Sequence, residues 1–130
     1  MEDQLILLDT NVLIQYFRTK DKKKTFLHQL ALENPNFAIS VITHFEVLRG
    51  VNEVQEEFWW NFLKDIEVIS YFPAINYTAV QIQKQLKVLR KSINIQDLII
   101  AATAVHLQYP LATLNLKHFE NIEGISLIEF

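Results

Sequence analysis

The chain has 130 residues, half of them hydrophobic, and a formal net charge of −3. This length suits one domain with a substantial core, so we expect a single domain over residues 1–130. The absence of cysteine excludes disulfides, thiolate zinc sites and a cysteine nucleophile, and the net charge provides no general attraction to nucleic acid.

Neither a membrane span nor a secretion signal is expected. No uninterrupted apolar run approaches the roughly 20 residues that a membrane-spanning helix needs. Residues 1–4 are acidic where a secretion signal is basic. We therefore expect a cytoplasmic protein with no membrane association.

Apolar runs typical of buried strands alternate with helical patterns along the chain. The predicted strands cover residues 5–8, 37–41, 67–71, 111–113 and 125–128. The first predicted helix begins at Asn11, and the other five cover residues 22–32, 43–50, 51–64, 74–91 and 96–108. The fifth of the six has Val80, Leu86 and Leu89 along one side. This alternation predicts an α/β fold with a central parallel sheet and helices on both faces.

Three acidic residues fall where predicted elements begin or end. Asp9 directly follows the first strand, whereas Glu46 and Asp97 lie near the starts of two helices. Open α/β sheets bind ligands at the carboxyl ends of their strands, so we expect these acids to gather there. Carboxylates that converge on one point repel each other unless a cation lies between them. Oxygen ligands favour Mg²⁺ or Mn²⁺, and the pattern therefore predicts a metal site.

Each acid also has a purely structural explanation. Thr43 and Glu46 have the spacing of a capping box. Asp97 suits the first turn of a helix capped by Asn94, and Asp9 suits a turn. These explanations account for each acid singly but not for all three at element ends, so the metal site is the leading interpretation.

Four segments, residues 8–14, 40–50, 97–104 and 112–119, resemble in order the motifs of the PIN-domain ribonucleases, in particular the VapC-type toxins of bacterial toxin–antitoxin pairs. The resemblance implies a three-layer PIN-like α/β/α fold with a sheet of four or five strands. It implies a divalent-metal-dependent endoribonuclease that leaves a 5′-phosphate and a 3′-hydroxyl on transfer or ribosomal RNA. It also implies a cognate antitoxin and a homodimer.

By this resemblance Asp9 and Asp97 are direct metal ligands, and Glu46 is a ligand or positions the attacking water. The uncharged side chains expected to support the ligands or contact phosphate are Thr10, Asn11, Thr113 and Asn115. The family's last motif usually carries an aspartate where this chain has His118. An imidazole suits Mn²⁺ better than Mg²⁺. His118 is thus either a substitute ligand or an incidental surface residue, with Asn115 or Glu120 as candidate replacements for the acid.

Positive charges for RNA are expected from two sources. Arg49 and Lys117 lie closest to the motifs, and a second group falls at helical spacing in the fifth predicted helix: Lys84, Lys87, Arg90 and Lys91. Lys22–Lys24 forms a further basic cluster. The group in the fifth helix and the Lys22–Lys24 cluster are also explained as a solvated helix surface, which leaves Arg49 and Lys117 as the better single candidates.

Residues 58–63 are too apolar for one helix to bury entirely, because adjacent side chains on a helix point in different directions. The surplus suggests a protein interface, whereas the histidines at 28, 44 and 106 fit structural roles.

The alternative function is a PIN-like RNA- or protein-binding module whose catalysis is weakened at His118. A phospho-receiver domain is disfavoured, because it expects an acidic pair where this chain has Asp9 followed by Thr10.

Overall fold

The computed structural model describes residues 4–130, so residues 1–3, which contributed to the expectation about secretion, lie outside the described residues. Within residues 4–130 the strands are β1 (Ile6–Leu8), β2 (Phe37–Ser40), β3 (Glu67–Ile69), β4 (Leu111–Ala112) and β5 (Leu127–Ile128). They form one parallel sheet in the order β3-β2-β1-β4-β5. The predicted fold class is confirmed, with five strands.

Helices cover both faces of the sheet. They are α1 (Thr10–Arg18), α2 (Phe26–Glu33), α3 (Val41–Arg49), α4 (Glu53–Leu63), α5 (Pro73–Val88) and α6 (Ile95–Leu107), with short 3-10 turns at Lys22–Lys24 and Leu116–His118. Across residues 4–130, the helices are too short or too polar for any of them to cross a membrane.

Alternate residues of the strands face opposite layers of the core. Leu7 and Ala38 pack with the buried side chains of α5 and α6, whereas Leu8 and Ile39 pack with those of α1, α2 and α4. Strands buried on both faces are apolar throughout, which is why they appear in the sequence as continuous apolar runs.

The start of α3 differs from its prediction. Ser40 caps this helix, because its Oγ accepts a hydrogen bond of 3.2 Å from the Ile42 amide. Thr43 lies inside the helix and is fully buried. The structural alternative for Glu46, a capping box with Thr43, is therefore excluded, and the Glu46 carboxylate accepts a hydrogen bond from Thr10 instead. A capping box is instead present at the start of α4, formed by Asn52 and Gln55.

Helix α5 presents a different face to the core than predicted. Leu86 is buried, but Val80 and Leu89 are exposed, at 47% and 49%. The buried positions are Ile75, Ala79, Ile82 and Leu86. The predicted side was wrong because Val80 and Leu86 are six positions apart, and only side chains three or four positions apart lie together on a helix.

The end of α5 also differs from its prediction. The helix stops at Val88, and Arg90 adopts a left-handed backbone with φ of 59°. The amides of Arg90 and Lys91 donate hydrogen bonds of 2.9 Å to the carbonyls of Lys87 and Leu86. This pattern is the Schellman motif, which ends a helix. Arg90 and Lys91 consequently do not extend a basic stripe along α5.

The predicted helix over residues 22–32 is divided by Thr25, whose hydroxyl caps α2. Lys22 lies in the preceding 3-10 turn. Its ammonium group donates hydrogen bonds to the carbonyls of Tyr16, Phe17 and Thr19 at the carboxyl end of α1. A cation at this end is favoured by the helix dipole. Of the three lysines in the basic cluster, Lys22 is thus engaged within the fold.

Candidate active site

The three acids line a single cleft at the carboxyl edge of the sheet. Asp9 follows β1, Glu46 lies on α3, and Asp97 lies in the first turn of α6. The cleft has a volume of about 550 Å³. The other side chains that line it are Thr10, Asn11, Ile14, Gln15, Arg18, Asn94, Gln96, Asn115 and His118.

Asp9 is held firmly at the base of this cleft. Its Oδ1 accepts a hydrogen bond of 2.8 Å from the Thr10 amide at the start of α1, and its Oδ2 accepts one of 2.8 Å from the Thr113 hydroxyl. The residue is only 5% exposed. Burial, helped by the nearby charges of Asp97 and Glu46, raises the Asp9 pKa to about 6, although its two hydrogen bonds oppose the shift. A cation in the cleft would counter this unfavourable electrostatic environment.

Glu46 is positioned by hydroxyl groups. Its Oε1 accepts a hydrogen bond of 2.8 Å from Thr10 Oγ1, which lies 3.0 Å from the buried Thr43 Oγ1. A hydroxyl has a single proton to donate. Thr43 is therefore the donor to Thr10 while Thr10 donates to the carboxylate, and this chain fixes Glu46 at the cleft wall.

Asp97 is bound by two neighbouring side chains. Its Oδ2 accepts a hydrogen bond of 3.0 Å from the Asn94 amide nitrogen and lies 2.8 Å from His118 Nδ1. The other ring nitrogen, Nε2, lies 3.0 Å from the Asn115 amide nitrogen. An amide nitrogen only donates, so Nε2 accepts and Nδ1 carries the proton that is donated to Asp97.

His118 thus contacts Asp97 with one ring nitrogen and Asn115 with the other. In this arrangement it has no lone pair to offer a metal ion, and it is not an incidental surface residue either. Asn115 contacts the histidine, while Glu120 is exposed and does not line the cleft. Of the two suggested replacements, Asn115 therefore lines the cleft and Glu120 does not.

The start of α1 is tied to the loop after β4. Asn11 Oδ1 accepts a hydrogen bond of 3.2 Å from the Leu114 amide, and its Nδ2 lies 3.5 Å from Thr113 Oγ1. The same hydroxyl oxygen accepts from the Asn115 amide at 3.0 Å. These contacts stabilise the cleft wall around Asp9.

The donor set fits a hard divalent cation, although its members are not gathered at bonding distance. Across residues 4–130, no group of three or more His, Asp or Glu residues is close enough to hold a metal ion. Uncompensated carboxylates repel each other, and hydrogen bonds hold Glu46 and Asp97 against the protein. Three carboxylates around one cleft supply the oxygen ligands that Mg²⁺ and Mn²⁺ prefer. The residues present therefore fit such an ion by chemistry and charge.

The basic residues expected near RNA have different surroundings. Lys117 lines a second cavity beside the cleft, and Arg49 is exposed with its guanidinium 5.7 Å from the centre of the Phe45 ring. The remaining three, Lys84, Lys87 and Arg90, are exposed and do not line the acidic cleft.

Arg18 is a cationic residue of the cleft that was not predicted from the sequence. Arg18 lines it from the last turn of α1, on the same helical side as Asn11 and Gln15. The spacing of these three residues, four and then three apart, places them together on a helix and was the available signal.

Comparisons with known proteins agree with this fold. The family model of the PIN domain matches residues 6–125. A curated relative, Ribonuclease VapC1 of Methanocaldococcus jannaschii, is 39% identical over 127 residues, which cover 97% of this chain and 87% of that protein.

Solved structures give the same result. A toxin–antitoxin complex from Klebsiella pneumoniae contains a chain 31% identical to this one, with a TM-score of 0.76 and 95% of each chain covered. A DNA-bound VapBC from Salmonella typhimurium contains one 25% identical, with a TM-score of 0.83 and coverage of 97% and 98%. The chain therefore belongs to the PIN-domain family, and its relatives within that family are of the VapC type.

Proposed function

We propose that this protein is a divalent-metal-dependent endoribonuclease and the toxin of a toxin–antitoxin pair. The supporting observation is the buried Asp9, whose pKa is raised to about 6 by burial and by the charges of Asp97 and Glu46 in the same cleft. Such a concentration of negative charge is stabilised by a bound cation. The reaction class is that of the relatives, which are named ribonucleases.

In this proposal Asp9 and Asp97 hold the ion. When bound, Mg²⁺ or Mn²⁺ supplies positive charge for activating water and for the negative charge that develops at phosphorus. Glu46 Oε1 is engaged by Thr10, so we assign proton removal from the attacking water to Oε2. Water attacks phosphorus, the bond to the 3′-oxygen breaks, and the released 3′-oxygen takes a proton from solvent, so the products are a 5′-phosphate and a 3′-hydroxyl.

The test is RNA cleavage by the wild type and by Asp97→Asn, with Mg²⁺ and with Mn²⁺. Loss of a supporting residue costs 10–100-fold in metal affinity or activity, so loss of a direct ligand is expected to cost at least about 100-fold. Asp65→Asn is the matched control, because Asp65 is exposed and does not line the cleft.

A growth assay provides an independent readout. Expression of the wild type should arrest growth and produce discrete RNA fragments, whereas Asp97→Asn should do neither. Equal toxicity of both proteins would contradict the proposal. RNA binding without cleavage in either ion would instead favour a catalytically weakened binding module. Sequencing the fragment ends would identify the target, which we propose to be transfer or ribosomal RNA.

We also propose an antitoxin partner, because one neighbouring structure is a toxin–antitoxin complex. In support, α3 and α4 expose apolar side chains: Phe45 is 56% exposed and Trp60 63%. Trp60 also lines a groove of about 290 Å³ with Leu48 and Val51. Contiguous exposed apolar surface is typical of protein contacts. Co-expression with the antitoxin should restore growth, and Trp60→Glu should abolish that protection.

In the apolar segment of residues 58–63, Trp59 and Leu63 are buried, whereas Trp60 is exposed. Core packing therefore accounts for only part of this segment. We propose that the chain also forms a homodimer and acts in the cytoplasm. Light scattering on the purified protein and fractionation of expressing cells, respectively, test these two proposals.

A further inference from the structure

A second cavity adjoins the acidic cleft. Its volume is about 300 Å³, and it shares Asn94, Asp97 and His118 with that cleft. The remaining wall is formed by Leu86, Lys91, Ser92, Ile93, Lys117 and Asn121. His118 and Asp97 thus form a boundary between two connected spaces.

The two spaces differ in charge. The cleft is lined by three acids and one cation, Arg18. The second cavity is lined by Lys91 and Lys117, with Asp97 as its single acid. The charged side chains are therefore mostly acidic in the cleft and mostly basic in the second cavity. An anion enters the cleft only together with a cation, whereas two ammonium groups attract it directly into the second cavity.

The wall that carries the lysines is built into the fold. Lys91 is placed by the Schellman motif at the end of α5, where its amide donates a hydrogen bond of 2.9 Å to Leu86. Gln85, on the same helix, donates to the Asn121 carbonyl at 2.6 Å and accepts from the Glu123 amide at 3.1 Å. These contacts join α5 to the loop that follows the turn containing Lys117, so the cavity exists without a ligand.

We propose that this cavity, hereafter the lysine pocket, binds the phosphate that neighbours the scissile phosphate of a single-stranded RNA. Lys91 and Lys117 contact its oxygens, and Ser92 and Asn121 offer neutral hydrogen-bonding groups beside them. The strand crosses the boundary at His118 and Asp97, so that the scissile phosphate lies in the acidic cleft. This inference rests on the proposed nuclease function, because it assigns the neighbouring phosphate of the same substrate.

The first test compares Lys91→Gln and Lys117→Gln with Lys64→Gln. Lys64 is exposed and lies just before β3, at the opposite edge of the sheet. Each pocket variant is expected to raise KM about tenfold with little change in kcat. The slope of the logarithm of the binding constant against the logarithm of the salt concentration should become less steep by about 0.7 per lysine. Lys64→Gln should resemble the wild type. Melting temperatures establish that all variants are folded.

The second test identifies the phosphate itself. After the cleavage site has been mapped, one phosphate next to the scissile bond is replaced by a neutral methylphosphonate, first on one side and then on the other. On one side the replacement should weaken wild-type binding, and the lysine substitutions should then cause no further loss. If each lysine substitution reduces the affinity for both modified RNAs as much as for the unmodified RNA, the inference is wrong.

The third test separates this inference from the proposed function. Asp9→Asn serves as a non-cleaving background, and binding of a labelled oligoribonucleotide is followed by fluorescence anisotropy in Mn²⁺. Addition of Lys91→Gln or Lys117→Gln should raise Kd about tenfold, whereas Lys64→Gln should not. Unchanged affinity overturns the lysine pocket even if the wild type cleaves RNA. Reduced affinity without any cleavage would support RNA binding in the lysine pocket but contradict the proposed nuclease function, so the two failures are distinguishable.

Discussion

The buried carboxylate of Asp9 lowers the stability of the metal-free protein at neutral pH. The ordinary pKa of an aspartate is 3.8, and that of Asp9 is raised to about 6, first by burial and then by Asp97 and Glu46. Between these values the folded state binds more protons than the unfolded state, so stability falls as the pH rises through them. The ionised carboxylate therefore costs about 3 kcal/mol at neutral pH when no cation is bound.

The substitution Asp9→Asn should thus stabilise the metal-free protein at neutral pH. Asparagine keeps an oxygen for the Thr10 amide but removes the buried charge. We expect the free energy of unfolding in urea with EDTA to rise by up to about 3 kcal/mol at pH 7.5, and not to rise at pH 3.5. Asp65→Asn, at the surface, is the control. An equal gain at both pH values would show that relief of charge is not the cause.

The Thr10 hydroxyl is expected to support activity through Glu46. Thr10→Val removes the donor that holds Oε1 at 2.8 Å, whereas Thr10→Ser keeps it. Loss of such a supporting hydrogen bond typically costs 10–100-fold in activity or metal affinity. Cleavage rates and Mn²⁺ titration calorimetry should show this loss for the valine variant alone. Full activity of Thr10→Val would remove the assigned role.

At the residue level the sequence predicted which acids to examine but not their hydrogen-bond partners. Asp9 was identifiable from the end of an apolar run and Asp97 from its place after Asn94. The contact between His118 and Asp97 joins residues 21 positions apart, and no local pattern indicates it. Thr43 and Glu46 have the spacing of a capping box, but the structure buries Thr43 inside α3, where it cannot cap that helix.

At the level of elements, helix ends were predicted less well than helix positions. Arg90 and Gln108 both follow a helix with φ of 59°, a conformation usually taken by glycine. Without glycine at these places the sequence lacked the usual signal for the end of α5, and the predicted helix ran on to residue 91. Tertiary packing and the Schellman hydrogen bonds decide the end instead.

The left-handed backbone at Gln108 predicts that glycine is preferred there. The amides of Gln108 and Tyr109 donate to the carbonyls of Val105 and Ala104, so the turn is well defined. Gln108→Gly should raise the free energy of unfolding by about 0.5–1 kcal/mol, because glycine has no Cβ to strain. Gln81→Gly, at an exposed interior position of α5, should instead lower it by about 1 kcal/mol. Destabilisation by both substitutions in urea denaturation would contradict this account.

On the scale of the whole molecule, the site exists only after folding. Asp9 precedes α1, Glu46 lies within α3 and Asp97 lies in the first turn of α6, and the fold brings the three residues to one edge of the sheet. An ion that binds this arrangement and not the unfolded chain adds its binding free energy to stability.

Mn²⁺ should therefore raise the melting temperature of the wild type. At 100 times its Kd the added stability is about 2.7 kcal/mol. Asp97→Asn should lose most of this shift, and Asp65→Asn should retain it, with NaCl added to equalise the ionic strength. The same shift in all three proteins would mean that the ion binds elsewhere.

Apolar runs, helix periodicity and the order of four motifs were enough to infer a parallel α/β fold and the acids at its carboxyl edge, because those properties depend on residues close together in the chain. Tertiary structure alone decided three other features. They are the hydrogen bonds from Thr43 through Thr10 to Glu46, the contact between His118 and Asp97, and the position of Lys91 and Lys117 in one cavity. They join segments that touch only when both layers of helices pack on the sheet, and packing of that kind leaves no periodic pattern in a sequence.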